Sequence, residues 1–299
     1  MGRPSGHILA VRLLLLVLAS CLPGAAARAV VISHPDGSMN TEFLAFNGWH
    51  YVGEVNGLTA TYLGDGWVLT AGHVGPGDLT LGGVVYPHLP GWDTSFDNEG
   101  GPGSPDLLMF QVMPRPPLAP LALRSSMPTI GEVLVMIGCG RDRGAWTTYD
   151  PNGQFPPDPI GGWMWESSQT KRWGTNEVDG FPVGLVNGTV SFYTSFDDAG
   201  GHPFEAQGAD GDSGGAVFTF SEGTQLAGVL YTIAPAIGQP DETSMFTNLT
   251  FAARVDFYYD QIQDAMAMPE PATGTGLGAG TLLLGLLGRR RRRVRRGAP

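Results

Sequence analysis

The stretch Gly211-Asp212-Ser213-Gly214-Gly215-Ala216 decides how this chain reads. A serine set among glycines sits in a tight turn that a side chain at residue 211 or 214 would obstruct, because glycine alone tolerates such backbone freely. A serine hydroxyl is a poor nucleophile at neutral pH; it needs a base within hydrogen-bond reach, and that base needs an orienting carboxylate. Two other stretches offer those groups. Thr70-Ala71-Gly72-His73 carries an imidazole, and Ser104-Pro105-Asp106-Leu107-Leu108-Met109-Phe110 carries a carboxylate at the head of an apolar run. The other histidines, His7, His34, His50, His88 and His202, lack such a motif. Asp93 and Asp97 lie nearby in a turn-rich loop and compete with Asp106, but only Asp106 directly precedes a strand-like run.

In the chain order His73, Asp106, Ser213 these motifs resemble the chymotrypsin-like serine peptidases, and that order sets the resemblance apart from the other common triad folds. It spans most of residues 30–266. It implies an all-β fold: two six-stranded antiparallel Greek-key β-barrels with the active site between them, and a C-terminal helix. It implies Ser213 as nucleophile, His73 as the base that later returns the proton, and Asp106 as the group that holds the imidazole tautomer. The amides of Gly211 and Ser213 would face the oxyanion, and Asp212 would orient the loop. By the same resemblance Gln207 lies at the base of the primary specificity pocket, Tyr231-Thr232-Ile233 pairs with the substrate backbone, and Ser244 lies on the pocket wall. A neutral Gln207 argues against selection of Arg or Lys, since no buried carboxylate would match the cation. Ile233 stands where glycine is usual and narrows the pocket, which favours small or uncharged side chains. Gly72 and Val74 depart from the common alanine and cysteine flanks of the histidine. The partner implied is a protein or peptide substrate, and no cofactor is implied. There is no Cys/His metal spacing, although Asp93, Asp97 and Glu99 leave a calcium site open. Two other readings stand beside the peptidase: a non-catalytic binding or surface module on a protease fold, and an esterase with the same nucleophile.

Composition agrees with an all-β domain. The 299 residues include 45 Gly and 24 Pro, and 15% are charged, which suits many tight turns. Strand-length runs bounded by turn residues are Thr59–Leu63, Trp67–Ala71, Leu107–Val112, Val133–Gly138, Val183–Tyr193, Gly215–Phe220 and Leu226–Ile233. The prolines clustered around Ala119–Gly131 mark the junction between a first barrel (about 30–120) and a second (about 130–250). Leu89–Pro105 and Thr147–Gly162 read as surface loops rimming a cleft. Val255, Tyr258, Tyr259, Ile262 and Met266 fall at helical spacing and predict a helix over 251–266. Residues 29–268 hold seven basic side chains against 27 acidic ones, a net charge of −20, which repels nucleic acid and anionic membranes. With Cys21 in a segment read as removable, Cys139 has no partner and reads as a buried small side chain.

The two ends read as addresses. Residues 1–28 combine Arg3, an apolar run from Leu13 to Leu22, and small residues with alternative cleavage sites around Ala25–Ala29, as in a secretory signal peptide removed by signal peptidase. Cleavage after Ala29 would expose Val30-Val31-Ile32, a new N-terminus able to insert and meet Asp212. At the other end, Met268-Pro269-Glu270-Pro271, an apolar stretch from Thr273 to Gly288 and the cluster Arg289–Arg293, Arg295 and Arg296 resemble the PEP-CTERM sorting signal of Gram-negative bacteria, which implies an exosortase. An apolar segment followed by arginines fits insertion with the cations kept cytoplasmic. A plain uncleaved anchor and a nucleic-acid tail are the other readings of this tail. The expectation is an exported protein, extracellular or at the cell surface.

Overall fold

Turn chemistry lays out the first sheet. Asn56 and Gly57 both take positive φ, 54° and 77°, the twist of a two-residue hairpin turn, and fold Val52–Val55 back on Leu58–Gly64. In this computed structural model, which describes residues 30–43, 46–151, 159–198, 201–221 and 223–268, that hairpin belongs to a seven-stranded sheet. Its spatial order is Val84–Tyr86, Leu79–Leu81, Val52–Val55, Leu58–Gly64, Trp67–Thr70, Leu108–Gln111 and Thr94–Ser95. The two-residue strand Thr94–Ser95 is an addition inside a stretch read as loop. The second sheet has six strands in the order Arg172–Glu177, Val133–Gly138, Ala216–Thr219, Gln225–Ala234, Leu249–Arg254 and Ser191–Ser195. The paired strands run antiparallel in both sheets. The result is the expected all-β architecture: two curled half-barrels and one C-terminal helix.

The chain passes from one sheet to the other at Leu121–Arg124, where Leu121 N–H donates to Leu63 O (2.8 Å) and Arg124 N–H donates to Leu226 O (2.9 Å). The main core lies between the sheets. Tyr62, Trp67, Leu69 and Phe110 from the first meet Ile137, Phe218 and Val229 from the second. Strand alternation then gives the second sheet another buried face. Val135 and Ile137 point into the main core, while Leu134 and Met136 point the other way, against Val30, Ile32, Phe192 and Ala206. The N-terminal residues are therefore part of the second sheet's core, and Val31–Ile32 pairs with Ala206–Gln207.

Three local expectations change. The helix over 251–266 is shorter: Leu249–Arg254 is a strand pairing with both Gln225–Ala234 and Ser191–Ser195, and the helix spans Tyr259–Met266. Val255 and Tyr258 are buried just before it, so part of the apolar spacing belonged to the turn that leaves the strand. In Val183–Tyr193 only the end is strand, Ser191–Ser195, because Asn187 and Gly188 take positive φ (47° and 78°) and turn the chain between the bridged Val186 and Thr189. Thr147–Gly162 is no simple surface loop. Its ends belong to strands Arg141–Tyr149 and Ile160–Gln169, which join Thr243–Met245 in a three-stranded sheet. Aromatic side chains give this sheet its own core: Trp146 meets Trp163 edge-on at 5.0 Å, and Trp163 meets Phe246 at 5.4 Å.

Among the described residues no helix is long and apolar enough to cross a membrane. The signal peptide read over 1–28, and all but the first two residues of the sorting tail read over 267–299, lie outside the described residues.

Phe218 is fully buried on a central strand and packs edge-on to Phe46 at 5.2 Å. Phe218→Ala is expected to lower the unfolding free energy by about 3–5 kcal/mol, from lost burial and the cavity left behind. Denaturant unfolding of the variant against the parent measures it.

Candidate active site

Register brings His73 and Asp106 together. Strand Trp67–Thr70 runs antiparallel to Leu108–Gln111 with Thr70 opposite Leu108, so the residues just beyond Thr70 and just before Leu108 emerge side by side. His73 sits in the 3-10 turn Gly72–Val74, fastened from behind by Asn56 Nδ2, which donates to Val74 O (2.9 Å). The Asp106 carboxylate grips His73 twice: the backbone N–H donates to Oδ1 (2.8 Å), and ring Nδ1 lies 2.7 Å from Oδ2. Asp106 is itself held by its backbone N–H, which donates to Thr189 Oγ1 (2.8 Å). The imidazole is 46% exposed and the carboxylate 20%, so the ring's second nitrogen is directed away from the acid at an accessible site. The competing acids are engaged elsewhere: Asp93 Oδ1 lies 2.7 Å from His88 Nε2, and Asp97 Oδ1 accepts from Glu99 N–H (2.6 Å).

The Ser213 loop comes from the second sheet and docks on the first. Thr59 N–H donates to Ser213 O (3.1 Å), Thr59 Oγ1 to Gly211 O (2.8 Å) and Thr61 Oγ1 to Gly214 O (3.0 Å). Gly214 has φ +89°, and a Cβ there would sit 1.9 Å from Thr59 O and 2.2 Å from Thr70 Oγ1. No other residue fits that approach. The loop therefore lies against Thr70, three positions ahead of His73 in the sequence. Among the described residues no hydrogen bond joins the His73 and Ser213 side chains, and neither the Gly211 nor the Ser213 amide donates to a protein acceptor.

Behind the serine, Asp212 is fully buried. Its Oδ1 accepts from Gly140 N–H (2.8 Å) and Val30 N–H (3.4 Å), and its Oδ2 from Ala209 N–H (2.8 Å). Burial pushes its pKa up to about 7, although these hydrogen bonds pull the other way. Arg143 pins the segment after Val30 by donating to the carbonyls of Ile32 (2.7 Å), His34 (2.6 Å) and Pro35 (3.2 Å). Cys139, next to Gly140, is buried and free; burial pushes its thiol pKa up.

A pocket of about 320 Å³ opens beside Ser213, lined by Trp165, Gly208, Ala209, Leu230, Tyr231, Ile233 and Thr250 among others. Tyr231 and Ile233 thus border it, but Gln207 and Ser244 are not among its lining residues. Gln207 is buried opposite Val31 in the two-stranded pair, and its carboxamide has no hydrogen-bond partner among the described residues. Ser244 is buried behind Trp165, whose Nε1–H donates to its Oγ (2.9 Å). Gln207 pairs with the N-terminal strand instead, and Gly208, Ala209 and Trp165 line this pocket. Trp165 lay outside the candidate strands, and only the dense aromatics of Trp163-Met164-Trp165 could have flagged it.

Gly214→Ala is expected to lower stability by about 1–3 kcal/mol or more, from positive-φ strain alone before the clash, as read by thermal unfolding. In the chain with residue 29 still attached, the raised pKa means that folded Asp212 holds a proton that the unfolded chain, at 3.8, releases earlier. Its contribution to stability is therefore full below about pH 4 and lost as pH rises to about 7. Burial raises Glu205 to about 7 as well, so the readout is a difference: the decline over this window is expected to be shallower in Asp212→Asn, measured by unfolding at several pH values.

No family model matches this sequence, and no curated protein matches it. Solved structures do match. Neuropsin, a serine protease expressed in the limbic system of mouse brain, aligns over 76% of this chain and 98% of its own, with a TM-score of 0.51 at 17% identity. The active form of the Rv3671c protease from M. tuberculosis aligns over 83% of this chain and 96% of its own, with a TM-score of 0.47 at 16% identity. The fold is that of the trypsin-like serine proteases.

Proposed function

We propose that this protein is a serine endopeptidase that cleaves peptide bonds through Ser213, His73 and Asp106 by way of an acyl-enzyme. The observation that carries the reading is the double grip of Asp106 on His73, at 2.8 and 2.7 Å, beside a glycine-turn serine seated against the same strands. Asp106 fixes the tautomer with its proton on Nδ1, so Nε2 is free to take the Ser213 proton and later return it to the leaving amine. The reading requires Ser213 Oγ to reach Nε2 when substrate is bound; such contacts are often loose before that. The amides of Gly211 and Ser213, which have no protein acceptor among the described residues, suit the oxyanion, and one such donor is worth about 3–4 kcal/mol to the transition state. The pocket walled by Trp165, Tyr231 and Ile233 suits a small or uncharged side chain.

Activation follows from Asp212. Signal cleavage after Ala29 would convert the Val30 amide, already 3.4 Å from Asp212 Oδ1, into an ammonium facing a buried carboxylate. That charge would stabilise ionised Asp212 and lower its pKa, fixing the serine loop. Sequencing the mature N-terminus tests this, and a fully active enzyme beginning at Arg28 overturns it. The ends of the chain support export, and the C-terminal tail supports PEP-CTERM-type sorting by an exosortase to the surface of a Gram-negative-type bacterium.

An organophosphonate fluoride probe is expected to label the parent protein and not Ser213→Ala. Asp106→Asn is expected to lower kcat about 10⁴-fold by releasing the wrong tautomer. Absence of labelling would favour a non-catalytic surface module, and activity on ester but not peptide libraries would favour an esterase.

A further inference from the structure

The chain contains one lysine, Lys171, and it stands at the back of a second pocket, of about 250 Å³, remote in function from the serine loop. That pocket is built from four places: Trp49 of the 3-10 turn Asn47–Tyr51, Leu81 and Tyr86 of the first sheet, Pro117 and Leu118 of the segment leading to the second sheet, and Lys171 between two strands of the second half. The walls are mostly aromatic and aliphatic, with His50 as a further polar side chain besides Lys171. The ammonium donates to Trp49 O and to Val52 O (2.6 Å) and lies 4.2 Å from the centroid of the Trp49 ring. An ammonium has three donors, and two of them are taken by these carbonyls. Among the described residues no carboxylate lies within ion-pair distance of it, in a domain otherwise dense with acids. Desolvation lowers its pKa to about 8, outweighing the attraction of Glu54 from beyond ion-pair distance. A brace for two carbonyls needs no adjoining void; a recognition site does.

We propose that this pocket binds a carboxylate borne on a compact apolar or aromatic body, with Lys171 meeting the anion and Trp49, Tyr86 and Leu118 enclosing the body. A free arylalkanoic acid and the C-terminal carboxylate of a peptide ending in an apolar residue share this chemistry. The site bridges the two halves of the fold, and three contacts lead from Gly53, next to the Val52 that Lys171 holds, to the active-site loop: Cys139 Sγ contacts Gly53 O at 3.7 Å, Cys139 N–H donates to Thr59 Oγ1 (2.8 Å), and Thr59 Oγ1 donates to Gly211 O (2.8 Å). The proposal does not depend on the peptidase reading.

The test uses the full chain carrying Ser213→Ala, to prevent self-digestion, titrated calorimetrically with 3-phenylpropionate, its amide, acetyl-Ala-Phe with a free carboxylate and the same dipeptide amide. At least one acid is expected to bind about tenfold or more tighter than its matched amide, the scale of one hydrogen bond to a charged group. That preference is expected to vanish in Lys171→Gln. Because the variant can also lose the brace, acylation of Lys171 by an N-hydroxysuccinimide ester is followed in the unsubstituted pocket by peptide mapping, and the binding acid is expected to slow it at least about threefold. Preference for 3-phenylpropionate alone assigns the site to free acids, and preference for the dipeptide acid assigns it to peptide termini. Equal binding of acids and amides, no binding, or unprotected acylation would show a structural brace only and overturn the proposal.

Discussion

Everything in the active-site region hangs on how the Ser213 loop is seated across the boundary between the two sheets. Three threonines of the first half hold it. Thr59 and Thr61 reach its carbonyls, and Thr70 closes against Gly214. These are hydrogen bonds between buried groups, where each is strengthened by the low local dielectric and an unmade one is expensive. The seating fixes the distance between a serine carried by the second sheet and a histidine carried by the first. A methyl group at residue 214 would have to displace a backbone oxygen, so the loop's composition and the joining of the two halves are one constraint.

The second support comes from behind. Asp212 faces inward and collects three amides, one of them from the first described residue of the chain, Val30. A carboxylate in that position is costly to ionise without a cation. The N-terminal segment is therefore structural and electrostatic at once: Val30 and Ile32 complete an apolar core, while the Val30 nitrogen lies at the carboxylate. Arg143, reaching over from the added three-stranded sheet, holds the segment by its carbonyls.

The fold and the convergence of His73 on Asp106 were legible in the sequence because they rest on local signals. Glycine turns, an apolar strand after Asp106 and short β-branched runs each have a near-neighbour cause. The pocket was not legible in the same way. Gln207 is buried by pairing with Val31, about 175 positions earlier in the chain, and Ser244 is screened by Trp165 from a hairpin whose turn-rich sequence hid its strands. The helix boundary failed for a related reason. The helix was expected from residue 251, although the helical spacing itself begins at Val255; two neighbouring strands claim Leu249–Arg254, and tertiary pairing outweighs local pattern there.

Cys139 has a consequence for where such a domain can assemble. It is the only cysteine among the described residues, and it is enclosed with its sulfur against Gly53 O. The two halves are thus joined through this region by packing and hydrogen bonds alone. Folding calls for no thiol oxidant and no bond reshuffling, and the finished domain has no covalent link for a reductant to cut. Its cohesion is indifferent to the redox potential of the surroundings.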